Sequence, residues 1–147
     1  MTRLSRIDID APPSAMEAER RAAVRDLLQD NSFALLDDAP PGPYALGLAM
    51  REGRIVFALS AGNAPAAEFH LSLGPLRQVI KDYFQICAAH AEAVRHLPPA
   101  RIEAIDMARR GIHNEGADLL QDRLAGKARM DRDTARRLFT LICAMQR

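Results

Sequence analysis

The sequence has no excess of charge of either sign and no long apolar run. Its 20 Lys and Arg residues are matched by 19 Asp and Glu residues, which leaves a formal net charge of +1. This balance provides no broad electrostatic attraction to nucleic acid or to an acidic membrane surface. No stretch approaches the roughly 18 consecutive apolar residues that a membrane span requires. We therefore expect a cytoplasmic protein with no membrane association, for which nucleic acid is not the expected partner.

Cysteine and aromatic residues are also scarce. The two cysteines, Cys87 and Cys143, fall on predicted apolar helix faces, and in a cytoplasmic chain we expect reduced thiols rather than a disulfide. With 5% aromatic residues and no tryptophan, the core must be built from Leu, Ile, Val, Met and Ala. Such a core favours close contact between backbones. The 147 residues are expected to form a single domain, 1–147, because this length is typical of one.

The first 30 residues read as an edge strand followed by a helix. Ile7 and Ile9 alternate with polar residues in the strand, at residues 3–10. Ser14 and Glu17 have the spacing of a capping box, which predicts a helix that runs to about Asp30. The helix has one apolar stripe, which is predicted to be buried. The stripe consists of Met16, Ala23, Val24, Leu27 and Leu28.

A β-hairpin is the clearest element pair in the sequence. Strands at residues 43–51 and 54–61 are joined by Glu52 and Gly53, and a third strand is predicted at 67–73. A two-residue loop fixes the register so that each large apolar residue faces another on one side of the sheet. The predicted pairs are Met50 with Ile55, Leu48 with Phe57, and Leu46 with Leu59.

The opposite face of the hairpin carries small residues, whereas an exposed antiparallel face normally carries Thr, Lys, Arg and Glu. The small residues are Ala45, Gly47, Ala49, Val56, Ala58 and Ser60. We expect the first or the last helix of the chain to cover this face. A self-association contact and a ligand groove are the alternatives.

The second half of the chain is predicted to be helical. One helix begins at Pro75 and ends at His96, and its buried stripe is predicted to continue as far as Val94. The next follows Pro98 and Pro99, and two glycines, Gly111 and Gly116, predict a bend or break between them. A turn at 126–130 precedes a fourth helix that opens at Asp131 or Asp133. The predicted fold class is α+β, with a three- to four-stranded antiparallel sheet, an N-terminal covering helix and three C-terminal helices.

Three segments carry a resemblance to a known family. They are LSLGPLRQVIKDYFQIC at 71–87, RIEAIDMARRGIHNEGADLL at 101–120 and DTARRLFTLIC at 133–143. The chain resembles a bacterial family catalogued only as an uncharacterised protein family. The resemblance covers most of the chain and is loosest in the first seventy residues. It implies no activity, cofactor or substrate, so no site residue is transferred from it.

The most polar cluster lies on the third helix and is the first candidate site. Two guanidiniums beside an imidazole suit a phosphate or carboxylate ligand through forked hydrogen bonds. If the helix breaks, Asn114 would cap a new helix and free amides would add to the anion site. The alternative, which residue statistics favour, is a polar network between helices. The candidate ligand-binding residues are Arg109, Arg110, His113, Asn114 and Glu115.

Two further candidates are weaker. Lys81, with Arg77, Asp82 and Tyr83, could supply an acid and a base, but adjacent residues on a helix diverge and a solvated face is favoured. Cys87 and His90 would make only half of a metal site, so no metal and no cofactor are expected.

The last segment has a basic stripe, interleaved with carboxylates, for which a solvated surface is favoured over RNA binding. The stripe consists of Arg123, Lys127, Arg129, Arg132, Arg136 and Arg137.

No motif in the sequence defines an activity. We predict a small cytoplasmic interaction or regulatory module that binds a protein partner or itself. The alternative is a metal-independent enzyme or binding protein for a phosphorylated or carboxylated small molecule. In that alternative, Arg109 and Arg110 would hold the anion while His113 or Glu115 would move the proton.

Overall fold

The computed structural model describes residues 3–36 and 38–146, which contain four α-helices and six strands. In chain order they are β1 (Leu4–Asp10), α1 (Glu17–Gln29), β2 (Phe33–Leu35), β3 (Tyr44–Arg51), β4 (Arg54–Ala61), β5 (Ala64–Ser72), α2 (Arg77–His96), α3 (Pro99–Leu124), β6 (Ala128–Met130) and α4 (Arg132–Ala144). A single turn of 3-10 helix, Gly74–Leu76, leads into α2. The α+β class predicted from the sequence is confirmed. Every helix in the described ranges is too short or too polar to cross a lipid bilayer.

The larger sheet has the strand order β1-β3-β4-β5. The β3–β4 hairpin has the predicted register, with Leu48 opposite Phe57, and β5 continues it in the antiparallel sense. Glu52 and Gly53 both have positive φ values, 52° and 75°, as a tight two-residue hairpin turn requires. The antiparallel prediction is wrong for β1, which pairs with β3 in parallel. The segment between these two strands contains α1 and crosses back over the sheet, so the sheet is mixed.

A second, two-stranded sheet joins distant parts of the chain. β2 pairs antiparallel with β6, so that Phe33 lies opposite Met130 and Leu35 opposite Ala128. The sequence predicted only a turn at 126–130. A three-residue strand gives little local signal, because its stability depends on a partner almost a hundred residues away in the chain.

The core lies between the inner face of the larger sheet and α4. Leu138, Phe139, Leu141, Ile142 and Cys143 are each 0% exposed, so α4 is buried around most of its circumference. The Asp131 side chain caps α4 by accepting a hydrogen bond of 3.0 Å from the backbone N–H of Thr134, as predicted.

Two predictions about the first two helices are wrong. The capping box does not form, because α1 begins two residues later than predicted, with Met16 instead of Ser14 at its N-cap position. The Ser14 hydroxyl instead accepts a hydrogen bond from the Met16 backbone N–H.

Leu28 and Val94 are 39% and 57% exposed although both lie on predicted buried stripes. The end of α2 packs mainly on α3, and the Val94 side chain faces solvent.

The third helix is continuous from Pro99 to Leu124, so the predicted break between Gly111 and Gly116 does not occur. Gly116 serves packing instead: a Cβ at this position would overlap the ring of Phe139 in α4. Gly111 faces open space, with no atom within 4 Å of such a Cβ. The absence of a side chain at Gly116 therefore lets α3 and α4 approach closely.

The small-residue face of the sheet is not covered by a helix, contrary to the main expectation. Ala58, Glu68 and His70 on this outer face are exposed, whereas Phe57 and Phe69 on the inner face are buried. The described helices therefore lie on the inner side of the sheet only.

Candidate functional site

A cleft of about 340 Å³ lies among the four helices. This volume is in the range of pockets that bind small molecules. Several polar side chains line the cleft: Tyr83 from α2, Arg109 and His113 from α3, and Arg136, Arg137 and Thr140 from α4. Residues of α1 form the remaining wall. The cleft therefore gathers polar groups that are far apart in the sequence.

His113 is held by α4 through a hydrogen bond between its Nε2 and Thr140 Oγ1, at 2.8 Å. The Thr140 hydroxyl donates its single proton to the backbone carbonyl of Arg136, one helical turn earlier, at 3.2 Å. Thr140 Oγ1 therefore accepts from His113, which places the proton of the neutral imidazole on Nε2. Nδ1 is then left as the hydrogen-bond acceptor of the ring.

Burial keeps this histidine uncharged at neutral pH. Desolvation, together with the positive charges of Arg136 and Arg109, lowers the pKa of His113 to about 4. The Tyr83 ring stacks on the imidazole with ring centroids 5.2 Å apart. Burial also raises the pKa of the Tyr83 phenol, so this group stays protonated. The pair thus provides neutral hydrogen-bonding groups rather than charged ones.

The arginine on α3 is oriented by a carboxylate on the same helix. Arg109 Nε and Nη2 both donate to Asp106 Oδ1, at 3.1 and 2.6 Å. Asp106 also lies 3.0 Å from Arg110 Nη2 and 3.7 Å from His90 Nε2. The hydrogen bond from Arg109 is the main reason that the pKa of Asp106 lies below its usual value. The ion pair fixes the position of the Arg109 side chain on its wall of the cleft.

The arginines on α4 keep donors that the protein does not use fully. Arg136 Nη1 lies 3.4 Å from Asp133 Oδ1, but Arg136 Nε is buried and has no acceptor among the described residues. Arg137 Nη1 donates to the backbone carbonyl of Asp30 at 3.3 Å. A buried donor without a partner costs free energy that an acceptor on a ligand would recover.

The cleft has no net charge on its walls. Three guanidiniums face three carboxylates, and the carboxylates are Glu19, Asp26 and Asp133. A ligand is therefore not attracted from a distance by a strong field. Recognition would depend on short, directed hydrogen bonds inside the cleft.

Comparison with known proteins identifies the family. A family model described as an uncharacterised protein family, UPF0262, matches residues 1–147. The chain belongs to this family. The resemblance predicted from three segments of the sequence is therefore confirmed.

The relatives within UPF0262 are bacterial proteins with no assigned activity in their names. The UPF0262 protein of Paracoccus denitrificans is 64% identical over 153 residues, which cover 97% of this chain and 94% of the relative. The UPF0262 protein of Jannaschia sp. is 59% identical over 152 residues, with coverage of 99% and 97%. That of Ruegeria pomeroyi is 56% identical over 155 residues, with coverage of 99% and 96%. No solved structure matches the chain at a significant level.

The structure brings together only part of the first predicted site. Arg109 and His113 line the cleft, whereas Arg110 is 67% exposed and pairs with Asp106 outside it. Asn114 and Glu115 do not line the cleft, and Glu115 is exposed. Lys81 is exposed on α2 and also lies outside the cleft.

The other two candidates contribute residues that the sequence did not connect with His113. Tyr83, predicted as packing, stacks on His113, and Arg136 and Arg137 come from the basic stripe. Arg132 of the same stripe pairs with Asp118 at 3.0 Å and stays outside the cleft. The sequence reasoning missed Thr140, although a hydroxyl among the apolar residues of α4 is a signal that could have been noticed.

Proposed function

We propose that this UPF0262 protein binds a small molecule that carries a carboxylate or a phosphate, in the cleft among its helices. The observation that carries the proposal is the convergence of Arg109, His113, Arg136 and Thr140, from two helices, on one small cavity. Arg136 lines this cavity, and its buried Nε has no acceptor among the described residues. Guanidinium donors in a partly buried cavity form strong, oriented hydrogen bonds to both carboxylate and phosphate oxygens.

The proposal is for binding rather than for turnover. A general base works best when its pKa lies near the working pH, whereas the pKa of His113 is lowered to about 4. Glu115, the second base considered from the sequence, is exposed and outside the cleft. The enzyme alternative therefore receives less support from the geometry than a binding protein does. We propose the cytoplasm as the location of this function.

The test uses inorganic phosphate and succinate as probes, with binding followed by NMR chemical-shift changes and titration calorimetry. We expect both probes to shift the signals of His113 and Thr140. The Arg136→Gln variant should bind about tenfold more weakly or worse, because one charge-assisted donor set is lost. Arg132→Gln is the matched control, since this arginine lies one turn earlier on the same helix but outside the cleft. Equal binding by the two variants, or shifts confined to residues outside the cleft, would contradict the proposal.

A second candidate function is that of an interaction module. The observation that favours it is the exposed outer face of the larger sheet, where Ala58 is solvent-accessible and Gly47 and Ala49 are only half-buried. An apolar sheet face left open to water is unusual unless something binds to it.

A further inference from the structure

The outer face of the larger sheet forms a shallow trough, which we call the sheet trough. Its floor consists of Gly47, Ala49, Val56 and Ala58 on the two central strands. Its walls are formed by Asp8 and Asp10 on β1 and by Glu68 and His70 on β5. In register, Asp8, Gly47, Ala58 and Glu68 form one row across the sheet.

The dimensions of the sheet trough suit a helix. Strands β1 and β5 are three strand spacings apart, which is roughly 14 Å at about 4.8 Å per spacing. An α-helix with side chains is about 10 Å across. Because the floor carries only small side chains and Val56, a helix lying there would contact the sheet backbone closely.

A helix of matching chemistry lies on the surface of the same chain. The outward face of α1, which we call the α1 ridge, exposes Arg21 and Arg25, with 80% and 68% of their side-chain surface accessible. Between and beside them lie Val24 and Leu28, and Leu28 is 39% exposed. The α1 ridge therefore combines an apolar strip with two exposed basic side chains on one flank.

The charges of the two surfaces are complementary. The sheet trough is lined by three carboxylates, Asp8, Asp10 and Glu68, and by one guanidinium, Arg51. The α1 ridge carries two exposed guanidiniums, Arg21 and Arg25, and one carboxylate, Glu17. The sheet trough is therefore mainly acidic and the α1 ridge mainly basic.

Both surfaces also have ion pairs within the chain. Arg6 Nε lies 3.0 Å from Asp8 Oδ2, and Arg21 Nε lies 3.4 Å from Glu17 Oε1. The Arg6–Asp8 pair is exposed on both sides, and such surface pairs contribute little free energy. Asp8 and Arg21 can therefore leave these partners within the chain and pair with a second copy when two copies meet.

The positions of the two surfaces allow both contacts to form at once. α1 packs on β1 and α4 on the inner side of the sheet, while the sheet trough begins at β1 on the outer side. A two-fold axis along the β1 edge would turn a second copy over and bring each α1 ridge across the trough of the other copy. Such an interface is closed and symmetric, and it does not propagate into a filament.

We propose that a second copy of this chain occupies the sheet trough, with the α1 ridge of each copy lying in the trough of the other. This inference names the partner for the interaction function proposed above and rests on it. It is independent of anion binding in the cleft, because the charges of the sheet trough do not line that cleft.

Charge reversal tests the proposal in sedimentation velocity experiments on the full chain. One variant reverses the trough, Asp8→Lys with Glu68→Lys, and the other reverses the ridge, Arg21→Glu with Arg25→Glu. Each variant alone places like charges in both contacts, so we expect its dimer affinity to fall by about 100-fold. An equimolar mixture places opposite charges in both contacts, and we expect it to restore a dimer that contains one copy of each variant.

The control reverses Arg95 and Arg101 to Glu; both are exposed at the turn between α2 and α3, so the dimer should persist. Circular dichroism confirms that each variant is folded. The proposal is overturned by a wild-type protein that is monomeric at about 100 µM, by a dimer that neither reversal weakens, or by a mixture that does not recover dimers. The wider interaction function has a test of its own, in which the wild-type and trough-reversed proteins are used to capture proteins from lysate. Recovery of the same proteins by both would contradict it.

Discussion

His113 shows how neighbours determine the chemistry of one residue. Its neutral state follows from burial beside two guanidiniums, and its tautomer follows from the bond that Thr140 makes with a backbone carbonyl. Apart from Arg109, one helical turn earlier on α3, none of these groups lies in the local sequence around His113. The same residue on an open helix face would be charged below about pH 6.5.

This environment predicts how stability depends on pH. The pKa of His113 is about 4 in the folded chain against 6.5 for a free histidine, so the unfolded chain binds more protons between these values. The free energy of unfolding therefore falls as the pH is lowered from about 6.5 to about 4, and this group causes no further loss below that. Urea unfolding midpoints measured across this range should fall less steeply for His113→Gln than for the wild type. His96→Gln, at the exposed end of α2 and outside the cleft, is the comparison variant.

At the scale of single residues, the sequence predicts two side chains of the cleft but not the full set that lines it. The sequence predicts Arg109 and His113, because guanidinium and imidazole groups in one helical segment are unusual among apolar residues. It also predicts Arg110, which is their neighbour in the sequence, but the Arg110 side chain is 67% exposed and pairs outside the cleft. Thr140 and Glu19 lie on other helices, and only the packing of α4 with α3 and α1 brings them into the cleft with His113.

The elements of the fold differ in how far the sequence determines them. The β3–β4 register was predictable because a two-residue loop fixes it locally. The parallel pairing of β1 and the pairing of β2 with β6 depend on contacts between segments distant along the chain, and no local pattern encodes them. The two glycines of α3 produce the same local signal, yet one faces open space and the other faces Phe139.

These two glycines provide a matched pair of substitutions on one helix. Gly116→Ala should lower the free energy of unfolding by about 1–3 kcal/mol, because the added methyl group overlaps a fully buried ring that has little room to move. Gly111→Ala should raise it by about 0.5–1 kcal/mol, because alanine favours the helix and no atom lies nearby. Urea unfolding of both variants checks the prediction. A neutral Gly116→Ala would show that α3 and α4 do not pack as described.

In the whole molecule, burial is concentrated in α4 and decreases towards the turn between α2 and α3. Most residues of α4 are buried, whereas Ala91, Val94 and Met107 near the turn are exposed. Amide hydrogens in segments with few buried contacts exchange by local opening, and those in the core exchange only on global unfolding.

Hydrogen exchange should therefore divide the helices into two classes. We expect amides of α4 to exchange most slowly, with an opening free energy equal to that of global unfolding. Amides at residues 88–108, in the paired ends of α2 and α3, should exchange faster through local opening. Mass spectrometry of proteolytic fragments measures both sets in one sample. Equal protection of the two segments would contradict this distribution of stability.

The position of α4 in the chain affects how the protein is made. α4 follows every other described element, and it fills the space against the inner face of the sheet. During synthesis, the sheet and the first three helices leave the ribosome before the helix that completes their core. The nascent chain therefore exposes apolar surface on the inner face of the sheet until α4 has left the ribosome and packed against it.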